Sequence, residues 1–434
     1  MTSIAFASLF LGLVLGHNTV GAIVEGPVAA VEFQLDGEPI ARLGKPPWST
    51  RIDLGADISP HELTARALDS SGVEVARARQ WLNLPRPQAE TEVVLERDDS
   101  GRAIAARLSF QSLVGSRPVT VTATLDGKSL SVDGTGRIAL PPYDTGTTHL
   151  LSAQVSFSES VQSRADVVLG GASGDEAKSE LTAIPVRVGK REPETVEKLQ
   201  GSFEKAGHPL RVVAVEEGSA LVLIVRDRGN AEASKVLGGN RYYFPSLARA
   251  LTFEMRLSRE DRMRLVWPVS THYADPRISS DLFDTSRDFT SEHGGLHWLL
   301  TQVYRPGGNL PEQRYADAAA VAGLEAYESC ARRAVVVVLG TPTDSSRMAP
   351  QSVRRYLQKV RVPLYVWSLV RPTAPQIERW GTVEDVSSID RLRKAFRTLK
   401  KDVESQRVVW IQGKHLPQQV ELTDRGRAIL GPVE

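Results

Sequence analysis

One cysteine in 434 residues, Cys330, leaves this chain no intramolecular disulfide and no cysteine-built zinc cluster. A lone thiol between a helical stretch and the apolar run at 334–339 is expected to be buried, and no neighbouring histidine would make it reactive. Charge of one sign is lacking too: Lys+Arg 53 against Asp+Glu 52 leave a net +1. No global basic footprint therefore argues for nucleic acid. No apolar run is long enough for a membrane-crossing helix, so no integral membrane segment is expected in the mature chain. Catalytic signatures are missing as well. There is no Gly-x-Ser-x-Gly, no His-Glu-x-x-His, no phosphate loop ending in Lys-Ser/Thr, and no dinucleotide fingerprint after a strand. A non-enzyme is expected, with a hydrolase on an α/β sheet as the less favoured alternative. What is present, 41% hydrophobic and 24% charged residues, is the composition of a globular protein. Its length suggests about two to four domains.

Residues 4–16 are apolar but too short to span a bilayer, and Val20-Gly21-Ala22 offers small residues to a signal peptidase. A secretory signal over residues 1–22 is expected, and hence a secreted or periplasmic protein, although Met1-Thr2-Ser3 carries no basic residue. The competing reading of this segment is a buried N-terminal strand or helix.

The front of the chain contains itself twice. Leu35-Asp36-Gly37, Pro46-Pro47-Trp48 and His61 recur in the same order as Leu125-Asp126-Gly127, Pro141-Pro142-Tyr143 and His149. A unit of about 90 residues is repeated. Alternating runs lead into each Asp-Gly, a strong hairpin signal. Two all-β, Ig-like sandwiches are expected, over residues 23–88 and 89–170. Trp48 and Tyr143, at equivalent places, are expected to cap the two cores. His61-Glu62 lacks the second histidine of a zinc site, because Ala65 stands there, so both histidines read as surface or turn residues. Residues 171–180 are small and polar, and read as a linker.

Beyond the linker, strands and helices alternate. Leu221 to Val225, residues 263–267, 334–339 and 363–369 read as strands. Residues 244–255, 294–300, 312–332, 352–360 and 388–405 read as helices. This pattern predicts an α/β doubly wound, Rossmann-like domain over residues 181–412. The last helix places Leu392, Phe396 and Leu399 on one face, with basic residues around them, and is expected to pack that face on a sheet. Residues 407–411 and 419–422 read as a closing β pair added to an edge of this sheet, with 413–434 as a C-terminal β extension and tail.

The strand ending on Asp227, the Gly294-Gly295 pair before a helix, and the run from Arg332 to Leu339 entering a Thr341/Asp344/Ser345 loop resemble the von Willebrand factor type A (VWA) domain. More narrowly, the whole chain is similar to the VWFA-related exported proteins first grouped from acidobacteria, with Ig-like strands ahead of the A-type domain. That resemblance implies a divalent cation at the top of the sheet. It would be held by an Asp-x-Ser-x-Ser loop, a threonine from a second loop and an aspartate after the fourth strand. Mg²⁺ demands such hard oxygen donors. In this chain Asp227 matches the first position, but Gly229 and Ala231 replace the two serines. Gly295 and Leu296 stand where the threonine would be, and Thr341 or Pro342 where the acid would be. The metal site is therefore expected to be degenerate, with no cofactor. The alternative is a rebuilt Mg²⁺ site from Asp227, Asp344 and Ser345, giving a divalent-metal-dependent VWA adhesin.

In open α/β sheets ligands sit outside the carboxyl ends of the strands. The ligand-binding candidates are accordingly Asp227, Gly229, Ala231, Asp344, Ser345 and Ser346, with His293 and Arg347 by position. The function expected is that of an exported, non-catalytic binding or adhesion-type protein. Another protein is the expected partner, and the sandwiches serve as a stalk or auxiliary surface.

Overall fold

The computed structural model describes the chain except for residues 1, 9, 11, 86–88, 99, 113–117, 127, 148, 158–161, 171–176, 179–180, 190–194, 228–253, 272–281, 304–312, 341–343 and 433–434. It divides into two compact units: residues 1–85, 183–411 and 415–434 form one, and residues 86–182 with 412–414 form the other.

The first unit begins as a β-sandwich. Strands Ser3–Phe6, His17–Glu25 and Ser49–Asp53 make one sheet, and Glu38–Leu43, Ala30–Leu35, His61–Leu68 and Glu74–Leu82 the other. Alternation places Val31, Phe33, Leu63 and Ala65 in the shared core with Val20 and Ile52. On the outer face Arg66 Nη1 meets Glu32 Oε1 at 2.9 Å across the strands.

The segment read as a leader is part of this sandwich. Ser3 pairs with Glu25 and Phe6 with Ala22, and Val20 is fully buried. Asn83 holds the same segment by accepting from Val14 N at 2.6 Å and donating to Val14 O at 2.8 Å. Cleavage after Ala22 would remove the first strand and sever the second. In the conformation described, Ser3–Phe6 is a half-exposed edge strand of its sheet.

Ile58 of this sandwich is 1% exposed and sits in a core built mainly by the C-terminal half. Around it Asp57 Oδ1 accepts from Ser352 Oγ at 2.6 Å and Arg355 Nη2 at 2.8 Å, and Asn83 O accepts from Tyr356 Oη at 3.0 Å. The first sandwich is thus docked on a helix of the α/β part.

The second unit sets strands Ala89–Arg97, Ala103–Ser112 and Arg137–Ala139 against a five-stranded sheet, which contains Thr120–Leu125, His149–Ser156 and Gln162–Leu169. Ala106, Leu108, Ile138, Leu151, Ala153 and Val167 fill the space between them. Part of the expected linker belongs to this sheet: Ala177–Lys178 pairs with Val167 and Val168.

The repeat has a structural counterpart. Asp36 (φ 54°) and Asp126 (φ 51°) both take the left-handed conformation that turns each hairpin. Each aspartate also receives the repeated histidine: His61 Nδ1 is 2.7 Å from Asp36 Oδ2, and His149 Nδ1 is 2.6 Å from Asp126 Oδ2. Trp48 and Tyr143 pack against the two cores, as expected.

In the C-terminal half we number strands β1 (Ala220–Arg226), β2 (Arg262–Thr271), β3 (Leu282–Thr285), β4 (Arg332–Leu339), β5 (Leu364–Ser368) and β6 (Glu384–Asp385). They form one sheet in the order β3-β2-β1-β4-β5-β6, parallel except for the antiparallel β2–β3 pair. Helices α1 (Leu296–Gln302), α2 (Tyr315–Glu328), α3 (Pro350–Lys359), α4 (Ala374–Trp380) and α5 (Ile389–Glu404) accompany it. Every residue of β1 and β4 is buried, as continuous apolar strands require when both sheet faces are covered. Val222, Ile224, Val336 and Val338 pack with Leu299 of α1 and with Leu392, Phe396 and Leu399 of α5. Leu223, Val225, Val335 and Val337 pack on the other side, with the alanines of α2 and with Val353 and Leu357 of α3. Alanine lets α2 lie close. At Gly323 a Cβ would stand 2.0 Å from Leu357 Cδ2, so glycine permits the α2–α3 contact. The helix expected over 244–255 falls mostly outside the described residues.

Two expectations are corrected. The C-terminal strands do not extend the α/β sheet. Gln406–Gln412 joins Val212–Glu216, Leu181–Val188 and Leu430–Pro432 in a separate four-stranded sheet, while Glu421–Leu422 pairs with Phe203 and Glu204 in another. Ile184, Phe203, Val409, Ile411 and Val420 give these sheets a core of their own. Alternation marks a strand and says nothing of which edge it joins. Cys330 is exposed, not buried. It occupies the turn between α2 and β4 with φ 48°, and that turn holds it outside the adjacent core.

Candidate functional site

The strand order reverses between β1 and β4, so the carboxyl ends of these two strands mark the place where an open α/β sheet offers a crevice. β1 ends on Arg226, and Asp227 follows it. Arg226 is completely buried, and its guanidinium donates to Val303 O. Arg226 Nη1 lies 3.6 Å from Asp227 Oδ1. Burial pulls the Arg226 pKa down from its ordinary value, while Asp227 and Tyr315 oppose that shift. Beside the first expected metal ligand, then, the chain supplies its own cation.

The second expected contact is closed by backbone. Gly295 precedes α1, and a Cβ there would stand 1.8 Å from Glu254 O. Leu296 N donates to Met255 O at 3.0 Å, fixing the same approach. A hydroxyl-bearing side chain at 295 would have to displace the 254–255 backbone.

Asp344, Ser345 and Ser346 come together at the start of α2 and are engaged there. Asp344 Oδ1 accepts from Tyr315 N at 3.0 Å and from Ser346 Oγ at 2.5 Å. Ser346 Oγ in turn accepts from Ala316 N at 2.9 Å and Asp317 N at 3.3 Å. Ser345 Oγ donates to Gln313 O at 3.1 Å. The first amides of a helix have no partner within it, and this loop supplies one from outside. Asp317 completes a reciprocal arrangement: its carboxylate accepts from Arg347 N at 3.0 Å and Met348 N at 2.9 Å, and from Arg314 Nε at 2.7 Å. His293 Nδ1 accepts from Thr290 N at 3.2 Å, a local turn contact. Gly229, Ala231, Thr341 and Pro342 lie outside the described residues.

Several of the side-chain oxygens that the resemblance calls for are replaced or otherwise engaged in this chain. Gly229 and Ala231 bring no side-chain oxygen, Gly295 admits no hydroxyl, and Arg226 places positive charge beside Asp227. In the rebuilt alternative, Asp344 Oδ1 and Ser345 Oγ serve helix α2 and its approach. Among the described residues no group of three or more His, Cys, Asp or Glu side chains is arranged to hold a metal. Arg226, Arg314 and Asp317 were not singled out from the sequence. The available signal was charge inside segments whose apolar pattern demands burial, because a buried charge requires a partner.

No family model matches the chain, and no curated protein matches it. Solved structures similar to it include the ArnB paralog VWA2 from Sulfolobus acidocaldarius, at 10% identity and TM-score 0.25, covering 67% of this chain and 56% of that one. A fibronectin-III array of RIM-binding protein matches at 10% identity and TM-score 0.25, covering 45% of this chain and 81% of that one. Fibronectin(III)-like modules of Clostridium thermocellum CbhA match at 16% identity and TM-score 0.17, covering 19% of this chain and 93% of theirs.

Proposed function

We propose that this protein is an exported, non-catalytic binding protein of the VWA type whose A-type domain recognises a protein partner without a metal ion. Two Ig-like sandwiches accompany that domain. The observation that carries the metal-free reading is the buried Arg226 guanidinium against Asp227. A second positive charge brought to that carboxylate would meet repulsion in a medium that screens it poorly. The loss of the serine and threonine positions points the same way, and so does the use of Asp344 and Ser346 as helix caps. The thermal midpoint of the full chain in Mg²⁺, Mn²⁺, Ca²⁺ or EDTA tests it. A ligand that binds only the native state raises stability by mass action, so the midpoint is expected not to move. A rise with Mg²⁺ that EDTA reverses and that Asp227→Ala removes would overturn the reading in favour of a metal-dependent adhesin.

A further inference from the structure

Helix α5 carries more positive charge than its own contacts use. Its sixteen residues hold six cations and three carboxylates, in a chain whose net charge is +1. Three of the six cations are paired. Arg391 meets Asp385, Arg393 meets Glu254 at 2.8 Å and Asp390 at 3.1 Å, and Lys400 meets Glu404 at 3.7 Å. The remaining carboxylate contacts are taken as well: Asp402 accepts from Tyr365 Oη at 2.6 Å, and Glu404 from Ser258 Oγ at 3.2 Å. Lys394, Arg397 and Lys401 are left over. All three are exposed, and no ion pair among the described residues reaches them. Arg397 Nε donates to Arg393 O at 3.3 Å, within the helix, and Lys394 acts on Glu384 of β6 at a distance, without an ion pair.

Positions 394, 397 and 401 have the i, i+3, i+7 spacing that places side chains on one stripe. At 1.5 Å per residue the stripe is about 10 Å long. It lies opposite the face of Leu392, Ala395, Phe396, Leu399 and Val403, which is buried against the sheet. The packing of α5 therefore requires none of the three cations. A helix C-terminus favours positive charge in its last turn, which explains Lys401 alone. Like charges three and four residues apart repel, and no contact among the described residues offsets this.

The rest of the helix narrows what could cover the stripe. No apolar or aromatic residue of α5 is exposed. A helix bound in a membrane interface turns an apolar face to the lipid, and that face of α5 is already committed to the sheet. What remains is a row of long, flexible cations, which selects carboxylates at matching spacing by charge complementarity.

We propose that the stripe of Lys394, Arg397 and Lys401 is the surface on which the α/β part docks an acidic segment of its protein partner. This rests on the reading above that the domain recognises a protein, and it gives that partner a chemistry: carboxylates in a row.

Binding of a short fluorescent oligoglutamate to the full chain, followed by anisotropy in EDTA at low salt, tests this. The combined variant Lys394→Glu, Arg397→Glu and Lys401→Glu is expected to bind about tenfold more weakly, as the loss of three exposed ion pairs implies. Wild-type binding should fall as salt rises, because exposed pairs are screened. Lys45→Glu, Arg51→Glu and Lys128→Glu together change the net charge equally at exposed positions on the two sandwiches, and should bind as wild type does. Replacing the three stripe residues with glutamine removes their charge without reversing it, and should also weaken binding with the melting midpoint kept. No binding by the wild type, or equal loss in the sandwich variant, would overturn the proposal. So would heparin or phosphatidylglycerol vesicles bound through the same stripe more tightly than oligoglutamate. EDTA excludes a cation from this assay, so the Mg²⁺-dependent rise in midpoint that would sink the metal-free reading is read separately.

Discussion

An arginine at the end of a strand sealed on both faces is the least expected residue in the α/β part, and it explains most about the rim. Arg226 is fully buried, with Asp227 and Val303 O as partners. Removing one member of a buried charge pair leaves the other uncompensated, which costs about 3–5 kcal/mol. Arg226→Met, which keeps the length and removes the charge, is expected to destabilise the first unit by about 3 kcal/mol, read from urea unfolding. An unchanged midpoint would mean that Asp227 does not depend on this cation. Asp227 was legible because it closes an apolar run. The part played by Arg226 was not, because a sequence shows that a charge needs a partner without showing which group supplies it. Gly295 is a similar case: its close approach to Glu254 exists only once α1 has packed.

At the level of single elements, the periodicities were good guides. Continuous apolar runs became β1 and β4, and the 3.6-residue pattern of α5 became a face of Leu392, Ala395, Phe396, Leu399 and Val403 with Ser388 as its cap. The start of α2 was less legible. Arg314 at its N-cap gives no side-chain cap, and the cap arrives from a loop some thirty residues later, through Asp344 and Ser346. An Asp-Ser-Ser stretch after a strand serves equally as metal ligands or as caps, because both roles use the same oxygen lone pairs. Asp344→Ala is expected to lower stability by about 1–2 kcal/mol and to speed amide exchange first in the opening turn of α2, with no response to cations in either form. Loss of a cation-induced shift on this substitution would instead assign Asp344 to a metal.

Across the whole first unit, residues 3–25, the sandwich they complete and the α/β part are joined by continuous packing. The chain of contacts runs from Val14 through Asn83 to Tyr356 on α3, and from Ile58 into the core under α2. Deleting residues 1–22 removes one strand and most of another, so it is expected to lower the melting transition of the sandwich and the α/β part together. The second unit should be left unchanged, as followed by calorimetry with hydrogen exchange. A truncated chain that melts like the full one would show residues 1–22 to be dispensable to the fold, as a cleaved leader is.

By themselves, the residues determined the repeat, the apolar strands and the helical faces. Each of these is written in local spacing or in the identity of one side chain. Tertiary packing settled the partner of Arg226, the use of Asp344 and Ser346 as caps for a distant helix, the docking of Ile58, and the separate sheets that Gln406–Gln412 and Glu421–Leu422 join. It also separated two histidines that occupy matching places in the repeat: His149 Nε2 meets the Asp144 carbonyl oxygen, whereas His61 Nε2 is buried with no hydrogen-bond partner. Hydrogen bonds and burial are relations between groups far apart in the chain, and only the folded arrangement decides which of many possible partners each group meets.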